Sequence, residues 1–184
     1  MTMTPGLRKL ALTSHVISSV GWLGAIVAYL AVAVAAVTSQ NVGLVRAAYL
    51  VMQFSVWYVI VPLAFASLLT GLIQSLGTAW GLVRHYWVIA KLVLNLVANL
   101  VLLGYTQEIG PFAEVAAKPT FTVADLVVLR NPSHVVHSGV ALLVVLAATI
   151  LAVYKPRGMT RYGQRRQREQ LSGRAQPAIP VPER

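Results

Sequence analysis

Two groups of residues in this chain could do chemistry, and each lies in a stretch almost free of charge. The first starts at His15 and continues through Ser18, Ser19 and Trp22 at helical spacing. Lys91, Asn95 and Asn99 form a second polar face at four-residue steps, and Ser67, Thr70, Gly71 and Gln74 a third. A neutral imidazole ligates metals, haem iron among them, and an ammonium pairs with a propionate or another anion. The second group is His134 and His137, spaced i, i+3, which could bind a divalent metal with Glu108, Glu114 or Asp125. Both groups have a plainer reading. His15 would only hydrogen-bond across a helix bundle, and the histidine pair would only cap and donate at a membrane interface.

The elements that carry these residues follow from composition. The chain has 184 residues, 57% hydrophobic and 11% charged, against about 25% charged in ordinary soluble domains. A helix needs roughly 20 apolar residues to cross a bilayer, and the stretches 10–37, 47–76, 86–105 and 135–154 qualify. His15, Lys91 and His137 are the ionisable side chains inside them, tyrosines apart. The runs lack the alternation of a barrel strand, so the fold class is all-α, a four-transmembrane-helix bundle. The apolar core of the first stretch is far longer than the roughly 7–15 residues of a signal peptide, so it is expected to persist. Absence of cysteine excludes disulfides, thiolate metal sites and thiol catalysis. No phosphate loop, nucleotide fingerprint or serine triad is visible.

Basic residues set the expected orientation. Arg8, Lys9, Arg84 and eight more after residue 154 fall on one side of the spans, and Arg46, Lys118 and Arg130 on the other. Both termini are therefore predicted to be cytoplasmic, in the inner (plasma) membrane. The only long connection is 106–134, broken at Gly110-Pro111 and Lys118-Pro119, with a short helix in "VADLVVLRN" capped by Thr122 and another start at "NPSH" capped by Ser133. It reads as a lid over the outer end or as a binding loop. Pro62 is expected to kink the second span and free a carbonyl near Tyr58. Gly21, Gly24, Ala25 and Ala28 offer a surface on which a second helix can pack closely.

Residues 1–158 thus form one transmembrane domain, and 159–184 a basic, disordered cytoplasmic tail suited to anionic lipid. Nucleic acid is not an expected partner, because no aromatic-bearing fold accompanies the charge. Lys91 lies about 6 Å below the cytoplasmic start of its helix, near the depth of His15. Its stem could carry the ammonium back to the headgroups, or point it into the bundle. The inward case gives an inner-leaflet pocket of His15, Ser19, Trp22, Gln74, Lys91 and Asn95.

At "HVISSVGW" and "YWVIAKL" the chain resembles the bacterial four-helix superfamily of the membrane-bound protoporphyrinogen oxidase and the copper-resistance membrane domain. His15 and Trp22 match one spacing of that oxidase family, and Trp87 and Lys91 another. The resemblance implies that His15 is a haem ligand and Lys91 its charged partner. Ile89 stands where the oxidase commonly has histidine, and "AYLAVAVAAV" replaces its Pro-Arg pair and further histidine. "GWLGA", "SLLTGLIQSLGT" and "VYKPRGMTRYG" fit an uncharacterised family of small integral membrane proteins from high-GC bacteria, which implies fold and location but no chemistry. Three functions are carried forward. One is a haem- or porphyrin-associated redox protein with haem b, an oxidoreductase if it is an enzyme. Another is a non-catalytic scaffold or accessory subunit, self-associated or paired with another chain. The last is metal handling at His134 and His137.

Overall fold

The computed structural model describes residues 3–77 and 81–175. They form α1 (Pro5–Thr38), α2 (Val42–Ser55), a π-helical turn (Val56–Ile60), α3 (Val61–Gly77), α4 (Tyr86–Ala117), α5 (Val123–Leu129), α6 (Ser133–Tyr154) and α7 (Arg161–Ala175). No strand occurs among the described residues. Four helical stretches are long and apolar enough to cross a membrane, and they begin at Pro5, Val42, Tyr86 and Val123. Their outward faces are as apolar as the core: Val20 is 63% exposed and Leu143 68%. A surface of that kind is compatible with a multi-pass membrane bundle.

The core follows helical spacing. Trp22, Ile26, Tyr29, Ala33 and Ala36 make one buried stripe on α1, and Val45, Tyr49, Met52 and Val56 face it from the second stretch. The small-residue surface is only partly used. Gly21 lies against Leu63, whereas Gly24 has nothing within 4 Å of where a Cβ would stand. Ala33 and Ala36 supply the closer approach further along α1.

Several boundaries differ from those read in the sequence. Pro62 does not act alone: the chain widens into the π-helical turn just before it, and the helix runs on to Gly77. Gly110-Pro111 does not stop α4, which carries Pro111 inside and continues to Ala117. The long connection is therefore mostly helical, leaving only 118–122 and 130–132 between helices. Within it, α5 starts as expected at Thr122, whose hydroxyl caps Asp125 N–H while the Asp125 carboxylate accepts the Thr122 N–H at 2.9 Å. Ser133 is not a cap. It is the first residue of α6, and its own N–H is held at 2.9 Å by the Asn131 side chain.

The bundle has a proximal end, where α1 begins and α6 ends, and a distal end, closed by α5. Distally, Arg46 donates to the carbonyls of Ala116 and Lys118, Arg130 to Gln40, and Lys118 pairs with Asp125 at 2.6 Å. The Arg46 bonds satisfy carbonyls left free at the end of α4. The arrangement is the packed lid of the two readings: Leu129 of α5 is fully buried, and its carbonyl accepts from Tyr49. Proximally, Thr160 donates to Val83 O at 2.7 Å and caps Gly163 N–H at 3.1 Å. Gly163 meets the Arg84 carbonyl so closely that a Cβ would collide with it. Where the sequence reads as a disordered tail, the chain forms α7 over Arg161–Ala175, and the end of the tail lies outside the described residues.

Candidate functional site

Two polar assemblies lie inside the bundle. The proximal one contains most of the residues singled out in the sequence. His15 Nδ1 donates to the Ser67 carbonyl at 3.1 Å and lies 3.2 Å from Thr70 Oγ1. That bond leaves Nε2 as the acceptor nitrogen. Ser19 is bonded to Ser67 Oγ at 2.8 Å, so two side chains of α1 are fastened to one turn of α3. Gly71 makes the approach feasible, because a Cβ there would stand 3.1 Å from His15 Cε1. His15, Lys91 and Asn95 line one small space, with Ser75 and Leu92 beside them. Lys91 therefore faces a gap within the protein, in the inward arrangement of the two considered.

That space is about 20 Å³, room for one water molecule and not for a macrocycle. The other residues named with it sit elsewhere. Gln74 is half-buried outside its lining, and Trp22 belongs to the wall of a different cavity. Nor does the asparagine stripe bridge helices. Asn95 donates to Lys91 O at 2.9 Å and Asn99 to Asn95 O at 2.8 Å, each on its own helix.

The distal assembly was mostly missed. Tyr29 Oη and Tyr105 Oη are 2.7 Å apart, and Tyr105 Oη is also hydrogen-bonded to His134 Nδ1. Three helices meet there: α1, α4 and α6. His134 is buried among the rings of Tyr49, Tyr105 and Phe112, and its Nε2 has no partner. His137 is exposed and donates through Nδ1 to Ser133 O at 2.8 Å. The carboxylates considered as co-ligands do not join the two histidines. Glu108 and Glu114 are exposed, and Asp125 is committed to Lys118 and Thr122. Among the described residues no cluster of three His, Asp or Glu side chains could hold a metal ion.

Beside this assembly is a cavity of about 410 Å³. Its wall comes from α1, the π-helical turn, α4 and α6, and includes Trp22, Val56, Ile60, Ala98 and Ala141. Tyr29, Tyr105, His137 and Ser138 supply its polar border. The available signal in the sequence was the tyrosines themselves, since a phenol deep in an apolar span needs a hydrogen-bond partner.

The chain matches no family model, no curated protein and no solved structure.

Proposed function

We propose that this is a non-catalytic, multi-pass protein of the plasma membrane that holds a lipophilic small molecule in the cavity between α1, α4 and α6. In this reading both termini face the cytoplasm, which the excess of basic residues on that side supports. On that face the exposed arginines of α7 are suited to anionic lipid. The cavity carries the proposal: about 410 Å³ falls within the size range of ligand sites, and its wall is almost wholly aliphatic and aromatic. An apolar occupant would be held there by the burial of its surface against that wall.

The porphyrin reading has one observation in its favour. His15 is oriented through Nδ1 by a backbone carbonyl, as histidine ligands of metals commonly are. The resemblance at His15–Trp22 and Trp87–Lys91 supports it too. Against it, a macrocycle at His15 would have to part α1, α3 and α4, which close around about 20 Å³. The lipophile reading needs no such opening.

Native mass spectrometry of detergent-solubilised protein tests it. The wild type should retain an apolar adduct through detergent exchange, and Ala141→Trp, which fills the cavity, should lose it with its fold intact. A wild type that carries no adduct and binds no apolar probe overturns the proposal, as does a Soret band that vanishes in His15→Ala.

A further inference from the structure

The distal hydrogen bonds say what the occupant must bring. Tyr29, Tyr105 and neutral His134 together carry three titratable protons, and two hydrogen bonds join them. One proton is therefore left over, whichever way the chain of bonds runs. If Tyr29 donates to Tyr105 and Tyr105 to His134 Nδ1, the surplus proton is on His134 Nε2. That nitrogen is buried without a partner in a box of aromatic rings. If His134 Nδ1 donates to Tyr105 instead, Nε2 keeps only a bare lone pair and the surplus proton belongs to a phenol. A buried N–H with no acceptor costs more than an unused lone pair. The second direction is favoured, and both phenols line the cavity.

We infer, building on the proposed lipophile site, that the cavity takes a neutral molecule bearing a carbonyl of the quinone or ketone type, whose oxygen accepts the surplus hydroxyl proton of the Tyr29–Tyr105 pair. Trp22 is in the same wall, and its indole N–H is buried without a partner. A neutral molecule is favoured over a phospholipid because no lysine or arginine is among the described residues that line the cavity. A hydrocarbon without a carbonyl would fill the space but leave the phenol proton unused.

Calorimetric titration with decylbenzoquinone and with decylbenzene, a matched hydrocarbon, separates these cases. Decylbenzoquinone should bind the wild type about 5-fold more tightly than it binds Tyr29→Phe/Tyr105→Phe, the worth of roughly one hydrogen bond. Decylbenzene should bind both alike, which also shows that the double variant keeps its fold. The quinone carbonyl stretch should shift to lower frequency on binding wild type and not on binding the variant. Equal quinone affinity for both proteins overturns the inference while leaving the lipophile site standing. A co-purified phospholipid that the quinone cannot displace also overturns it. Failure of both probes to bind, with no adduct in the wild type, removes the site itself.

Discussion

The two polar assemblies of this bundle differ in what surrounds them. The proximal one is closed: His15, Ser19, Ser67 and Thr70 satisfy one another across α1 and α3, and Gly71 lets the imidazole lie almost on the helix backbone. The distal one is joined by hydrogen bonds yet borders a cavity about twenty times larger than the proximal space. Polar side chains in an apolar span can serve as fastening or as recognition, and their types do not say which. Free volume beside them does. By that criterion the residues that looked most chemical in the sequence act as fasteners, and the tyrosine pair is the proposed recognition surface.

Filling each region should break the contrast most sharply. Gly71→Val drives a side chain into the His15 ring and should destabilise the solubilised protein by about 2–3 kcal/mol, as overpacking a tight core does. Ala98→Leu, in the cavity wall, should cost nothing or raise the melting temperature slightly. Equal losses in the two thermal melts would show that the regions are packed alike. Next in size is His134→Leu, which leaves Tyr105 without its imidazole partner and should cost about 1–3 kcal/mol. His134→Asn should recover part of that stability if the hydrogen bond matters more than ring packing. The smallest effect is expected at Asn95. Its amide returns to its own helix, so Asn95→Leu should shift stability by less than about 0.5 kcal/mol. A larger loss would mean that the stripe on α4 holds helices together after all.

The number and class of helices were legible because length and hydropathy alone decide them. His15, Lys91 and Asn95 could be placed together because depth and four-residue spacing are one-dimensional quantities. The Tyr29–Tyr105–His134 contact was not legible, since it depends on how three helices are rotated about their own axes. Periodicity within a single helix does not fix that. Helix ends were misjudged where a local signal met tertiary support. Pro111 reads as a stop, but Ile109, Ala113 and Ala116 are buried on either side of it and keep α4 going. The tail after Thr160 carries the charge of a solvated segment, yet Thr160 and Gly163 dock its start against residues 83 and 84.

The π-helical turn has a consequence for the way the second crossing meets its neighbours. Met52, Val56, Ile60 and Ala64 are all buried, three successive steps of four. On a regular helix such steps would carry the contact stripe roughly 120° around the axis. Widening at Val56–Ile60 offsets most of that drift, so these four residues stay on one side of the crossing. Val56 and Ile60 of that turn also line the distal cavity, so one widened stretch serves both the packing stripe and the cavity wall.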